Sequence, residues 1–311
     1  MSAPALVVIN GQAGDGTALR QWPRLEPVLR EALGDLQVIT THSVADMVPQ
    51  VQAAWKEGLR RVIAVGGDGT VHHLLQTLVP LARRDEDGQP LELGILPGGT
   101  GNAWARSHGL PLSLTKAARQ LIGAQPFPVD LPSVELDGQR RHFLSISSAG
   151  ISGEIARKSD VPGKRPWSYA QNAIGTLLQR RPLPLRVEVD GELWVDDHYW
   201  LVAVANCNSF GSGMRIAPDA RVDDGLFDIV LIDGASRREV LIAFPRVYFG
   251  AHVTHPRVHI RRGREVRISG AGLGMETDGV PGQADELHYS LQPGGLQILV
   301  DPVAFRTTRT R

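Results

Sequence analysis

"AVGGDGTVHH", residues 64–73, decides the fold of this chain. Strand-forming residues pass straight into Gly66, Gly67, Asp68, Gly69 and Thr70, and helical spacing begins at once in "TVHHLLQTLVPLARR" (70–84). Three glycines around one carboxylate fill a core poorly, but they let bare backbone approach a ligand. A strand-to-helix junction also gathers main-chain N–H groups and the positive end of the helix dipole at one point. Phosphate binds there without a lysine. Asp68 would repel it unless a divalent cation lay between them. The purely structural alternative is a tight turn with Asp68 as a helix cap.

Working outward, "RVIAVGG" (61–67) shares its β-branched content and abrupt end with "ALVVIN" (5–10), "LQVIT" (36–40) and "LELGILPGG" (91–99), and all four read as strands. Between them, "ALRQWPRLEPVLREAL" (18–33) and "SVADMVPQVQAAWKEG" (43–58) carry apolar residues at helical spacing, interrupted by Pro23, Pro27 and Pro49. This alternation predicts a parallel sheet flanked by helices, with ligands at the carboxyl ends of its strands. "LPGGTGNAWAR" (96–106) repeats the glycine arrangement one strand later. Gly98, Gly99 and Gly101 permit close approach, and Thr100 and Asn102 offer hydrogen bonds. Two such loops at neighbouring strand ends are much rarer by chance than one. The Walker pattern is absent, and "NGQAGDG" (10–16) does not supply the dinucleotide fingerprint, so an ordinary P-loop or dinucleotide fold is excluded.

The texture changes after Asp130. "RHFLSISSAG", "LRVEVDGELWVDDHYWLVAVANC", "GLFDIVLID", "RVHIRRGREVRISG" and "LHYSLQPGGLQILV" are strand-rich and punctuated by Asp-Gly and Gly-Gly turns. Two helical stretches, "SYAQNAIGTLLQRR" and "SRREVLIAFPRVYFG", interrupt them. The expected fold is an α/β domain over 1–130, completed by 296–311, and a β-rich, antiparallel, sandwich-like domain over 131–295. There are no internal repeats.

The 311 residues are 42% apolar, enough for a real core. Lys plus Arg and Asp plus Glu both number 33, so no global field points to nucleic acid. Cys207 is the only cysteine, which excludes an internal disulfide framework, fits a reducing compartment and reads as a small buried hydrophobe. "MSAPALVVIN" has no signal-peptide character, and no window approaches a membrane span of roughly 18 apolar residues. The expected location is the cytoplasm, with membranes met only from their surface.

"GGDGT" followed by "LPGGTGNAWAR" resembles the diacylglycerol kinase and sphingosine kinase family of lipid kinases, particularly its small bacterial members, and the likeness covers nearly the whole chain. "VINGQAG" is similar to the family's Asn-Pro-x-Ser-Gly motif, keeping Asn10 and Gly14 without the proline and serine. "ITTHSVADM", "SSAGISGEIAR", "IAPDARVDDGLFDIVLI" (216–232) and "METDGV" resemble further family segments. The resemblance implies ATP binding between two domains, with Asn10, Thr41, the 66–70 loop and Thr100 at nucleotide-contacting positions and Thr40 serving equally for Thr41. Gly98, Gly99 and Asn102 belong to the same set. Asp68 would hold the catalytic Mg²⁺, which removes the repulsion noted above.

A second, structural Mg²⁺ is implied at Asp224, with carbonyls from Arg221 and Leu226, where a simple hairpin turn is the alternative. Asp278 in "ETDGV" matches the position of the family's base, able to accept a hydroxyl proton. The structural alternative for Asp278 is an Asp-Gly turn residue. The family usually has Glu two residues later, and this chain has Val280; Glu276 and Glu286 could stand in. Where relatives often have Asn-Glu, this chain has His72 and His73, which point about 100° apart on a helix and suit packing better than a shared ligand.

The implied acceptor is a lipid hydroxyl at the inner membrane face, with an apolar pocket for acyl chain in the second domain; association as a homodimer stays open. Basic and aromatic residues suit an anionic interface in "RKSDVPGKRPWSY" (157–169), "RVHIRRGREVRIS" (257–269) and "REVLIAFPRVYFG" (238–250), although solvated loops explain each as well. Two alternatives remain. NAD kinases share the GGDGT loop, and loss of the family Glu at Val280 keeps a catalytically weak nucleotide-binding regulator in view.

Overall fold

The computed structural model describes residues 4–85, 90–159, 168–211, 213–234 and 236–309. It divides into two compact units, Met1–Val129 with Gly294–Arg311, and Asp130–Pro293.

The first unit runs β1 (Ala5–Asn10), α1 (Thr17–Leu33), β2 (Leu36–Thr41), α2 (Val44–Lys56), β3 (Arg61–Gly66), α3 (Asp68–Arg83), β4 (Glu92–Pro97), α4 (Ala103–Ser107) and α5 (Leu114–Arg119). Its strands pair in parallel in the order β4-β3-β1-β2. Strands β1 and β3 are buried almost end to end, as a sheet covered by helices on both faces requires. Ile9, Leu25, Leu29, Ile63, Val65 and Leu96 share one core cluster. The prolines do not end their helices. Pro23 and Pro27 lie inside α1 and Pro49 inside α2, where the buried stripe of Leu25, Leu29 and Leu33 holds α1 through two missing N–H donors. His72 is 2% exposed in the packed face of α3, its ring 5.3 Å from that of His73 and at 82° to it.

The second unit contains β5 (Gln125–Leu136, begun in the first), β6 (Gln139–His142), β7 (Ile146–Gly150), α6 (Ser152–Ser159), α7 (Ser168–Gln179), β8 (Leu183–Val189), β9 (Glu192–Ala205) and β10 (Phe227–Asp233). It continues with α8 (Arg237–Ala243), β11 (Val258–Gly263), β12 (Glu265–Thr277) and β13 (Val280–Val300). All the pairings among β7 to β12 are antiparallel. Strand β8 pairs with the first halves of β9 and β12, and β7 with their second halves, so two short strands fill one gap end on end. Alternation along β9 sends Val202 and Val204 into one core cluster, and Leu201, Ala203 and Ala205 into another under α6 and α7. Cys207 is buried, its thiol directed at the Leu144 carbonyl at 3.6 Å.

Three features differ from the sequence reading. The stretch 236–250 is not one helix. Helix α8 stops at Ala243 and 3-10 turns follow over Phe244–Phe249 and Ala251–Thr254, because Pro245 cannot donate an α-helical hydrogen bond. Strand β5 was hidden by Pro126, Pro128 and Pro132, and α6 by its glycine-rich start. Apart from these three differences, β13 starts in the second unit and ends in the first, where Gln297 and Ile298 pair in parallel with β4. Helix α9 (Pro302–Arg309) then buries Phe305 against Trp104, His108 and Phe127.

Candidate active site

In the first unit, the carboxyl ends of neighbouring strands converge. Asn10 closes β1 and donates through Nδ2 to Thr70 Oγ1 (2.9 Å), while its Oδ1 accepts from Gln12 N (3.0 Å). Thr41 closes β2, is buried, and its carbonyl accepts from Gly11 N at 2.8 Å; Thr40, on the opposite face, is half-buried. After β3 and β4 the two glycine loops press against each other. Gly98 N donates to Gly66 O (2.8 Å), and a Cβ on Gly99 would collide with Gly67 Cα. Only glycine allows that approach of two main chains.

Asp68 spans the loops. Its Oδ1 accepts from Ala103 N at 2.7 Å, and its Oδ2 lies where a Cβ on Gly101 would go. Asn102, in the left-handed region at φ 49°, braces the second loop by accepting from Gly99 N (3.0 Å) and donating to Gly99 O (2.7 Å). The fold therefore gathers Asn10, Gly66, Gly67, Asp68, Gly69, Thr70, Gly98, Gly99, Thr100 and Asn102, with Thr41 beside them. Helix α3 begins at Asp68 and aims first-turn N–H groups into this cradle. Asp68 is the one carboxylate of the set. A single carboxylate with hydroxyls and phosphate oxygens suits Mg²⁺, so these residues fit a catalytic ion.

In the second unit, Asp278 and Gly279 form the two-residue turn between β12 and β13, with φ of 49° and 83° as a hairpin turn of this length requires. The Asp278 carboxylate accepts from Leu144 N (2.8 Å), Ser145 N (2.9 Å) and Ile146 N (3.3 Å), pinning the turn to the start of β7. Nearby, buried Glu276 accepts from Ser148 Oγ (2.8 Å) and Gly279 N (2.6 Å). Glu286 is exposed and faces Arg267 at 3.8 Å.

Arg221, Asp224 and Leu226 share the turn before β10. The Arg262 guanidinium binds the Asp224 carboxylate and lies 3.5 Å from Asp228. Leu226 N also donates to Asp224 Oδ1 (3.2 Å), and Gly225 N to Asp130 Oδ2 (2.8 Å). Burial pushes the Asp228 carboxyl up to about 6, against the pull of Arg262. The arrangement does not fit the expected structural Mg²⁺, because Arg262 already holds the carboxylate such an ion would need. No sequence signal pairs Arg262 with Asp224; antiparallel pairing of β10 with β11 brings them together.

A cavity with about 840 Å³ of empty space, its mouth included, opens in the second unit among Ile155, Leu177, Trp200, Met214, Val240 and Phe244. Its apolar lining from α6, α7, β9 and α8 is of the kind that holds hydrocarbon.

Residues 4–134 match the diacylglycerol kinase catalytic domain, and residues 145–300 the YegS C-terminal NAD kinase beta sandwich-like domain. The chain belongs to the diacylglycerol kinase/YegS family of lipid kinases. A diacylglycerol kinase of Bacillus subtilis (strain 168) is 30% identical over 239 residues, 74% of this chain and 75% of that protein. One from Mycobacterium tuberculosis (strain ATCC 25618 / H37Rv) is 29% identical over 297 residues, 93% of both chains. In fold, the chain is similar to a diacylglycerol kinase from Bacillus anthracis str. Sterne, with a TM-score of 0.72 and 21% identity over 97% of this chain and 98% of that one. The α/β first unit and sandwich-like second unit are thus those of a lipid kinase-type phosphotransferase of the diacylglycerol kinase/YegS family.

Proposed function

We propose that the protein transfers the γ-phosphate of ATP to the hydroxyl of a lipid. The observation that carries this reading is the pair of glycine loops held in contact, with Asp68 bridging them. Their main-chain N–H groups would take the phosphates, and Asn10, Thr41, Thr70, Thr100 and Asn102 would hold the rest of the nucleotide and the loops themselves. Mg²⁺ at Asp68 would supply neutralisation of phosphate charge. Phosphoryl transfer asks a protein chiefly for such positioning and charge stabilisation. We assign Asp278 as the base: it accepts the acceptor's hydroxyl proton as the new O–P bond forms and the bond from phosphorus to the β–γ bridging oxygen breaks, leaving ADP. Arg221, Asp224 and Leu226 we assign to a turn locked by Arg262.

The apolar cavity supports a lipid over NAD, whose polar nucleotide would find little to bond there. Incubation with labelled ATP, Mg²⁺ and either diacylglycerol vesicles or NAD tests the assignment. Label in the lipid is expected, and label in NAD alone refutes it.

For membrane contact the structure favours 238–250. Ile242 and Phe249 are 78% and 80% exposed on the segment whose inner residues Val240, Ala243, Phe244 and Val247 line the cavity. Arg238 precedes Ile242, and Arg246 lies between Ile242 and Phe249. In 257–269, by contrast, Arg257, Arg261, Arg262 and Arg267 each pair with a carboxylate. Most of 157–169, residues 160–167, lies outside the described residues. We therefore place the peripheral contact at 238–250. Flotation of an Ile242→Ser/Phe249→Ser variant with anionic vesicles is expected to show at least about fivefold weaker binding than the parent, from the apolar area no longer buried. Equal flotation would move the contact elsewhere.

A further inference from the structure

The turn before β10 holds both ends of the second unit. Asp130, the unit's first residue, donates through its main-chain N to the Val222 carbonyl (2.7 Å) and accepts from Gly225 N through Oδ2 (2.8 Å). Pro293, the last, packs on Gly225, where a Cβ would come within 3.5 Å of the proline ring. Carboxylates of Asp130, Asp224 and Asp228 meet at this turn, and Asp130 is only 2% and Asp228 5% exposed.

Acidic groups drawn out of water need a positive charge beside them. Strand register provides it. Arg262 on β11 stands directly opposite Asp228 on β10, and opposite charges at facing positions attract across a strand pair. From there its guanidinium lies 3.5 Å from Asp228 Oδ1 and also binds the Asp224 carboxylate. The planar fork of an arginine can serve two carboxylates at once, which a lysine does less well. Arg221, 3.5 Å from Asp223, brings a second guanidinium to the same turn.

We propose that Arg262 is a built-in cation: it does for this turn what a divalent ion would do, and the second unit holds its two ends with no metal of its own. Chelation then leaves that unit folded. Taking the guanidinium away makes the same carboxylates depend on a divalent ion. Neither consequence depends on the phosphoryl-transfer reading above.

The test uses the full chain, freed of metal with EDTA and without nucleotide, and beside it Asp68→Asn, in which an ion at the glycine loops no longer contributes. Thermal unfolding is followed in EDTA and in Mg²⁺ or Ca²⁺ at about 5 mM, above the range of weak carboxylate sites. Mn²⁺ binding is read from the loss of the free ion's EPR signal. The Asp68→Asn protein is expected to unfold at one temperature in EDTA and in either ion, and to bind no Mn²⁺ with a Kd below about 100 µM. Adding Arg262→Gln should lower the midpoint in EDTA by about 5 °C, restore it in Mg²⁺ or Ca²⁺, and bring in about one bound Mn²⁺. Arg262→Lys, which keeps the charge without the fork, should fall between the two. Stabilisation of the Asp68→Asn protein by Mg²⁺ or Ca²⁺, or one tightly bound Mn²⁺, overturns the proposal, and that measurement needs no Arg262 variant to fold. So does an Arg262→Gln protein that unfolds where its parent does, or one whose loss neither ion restores. Failure of the parent to phosphorylate any lipid would count against the kinase reading and leave this one standing.

Discussion

An Asp68→Asn protein is expected to transfer phosphate about 10²–10³-fold more slowly than the parent, with its fold intact. The asparagine oxygen can still accept from Ala103 N, so the bond that ties the first loop to the second survives. What disappears is the negative charge, the group that would hold a divalent cation between protein and phosphates. The loss should therefore appear in kcat and in the Mg²⁺ concentration needed for half-maximal rate, while thermal unfolding stays within a few degrees. A rate unchanged at every Mg²⁺ concentration would reduce Asp68 to a loop brace.

Asp278→Asn is expected to lower kcat by about 10²–10⁴-fold, the usual weight of a positioned general base. It also disturbs structure. Asp278 receives three main-chain N–H groups on its two oxygens, and an asparagine would turn an NH₂ toward one of these donors, at a cost of about 1–3 kcal/mol. Denaturant unfolding and ATP binding must be measured beside turnover. If transfer falls only with the folded fraction, Asp278 is a turn clamp. The absence of the family Glu at Val280 would then count toward a catalytically weak nucleotide-binding protein. If folded, ATP-binding protein has lost transfer, the base assignment stands.

How far these sites were legible varies from residue to residue. The 66–70 and 98–102 loops were readable because strand, glycine run and helix follow within a few residues, so their signal is local. Strand β5 was not readable, since three prolines mask a strand that tertiary pairing tolerates. Nor was α6, only eight residues long, whose place depends on Gly153 packing onto Gly274 and Met275 of β12. Asp278 was visible as an Asp-Gly turn, yet its clamp on Leu144, Ser145 and Ile146 joins residues far apart in the chain.

Local propensity and apolar periodicity, properties of neighbouring residues, determined the alternating first unit, the strand-rich second one and the positions of both glycine loops. Tertiary structure alone decided that Gly67 and Gly99 touch, that Arg262 takes the Asp224 carboxylate, and that α6, α7, β9 and α8 surround one cavity. Those contacts depend on which strands pair and in what register. Pairing is settled by burying whole faces of a sheet together, and no short stretch of sequence contains that information.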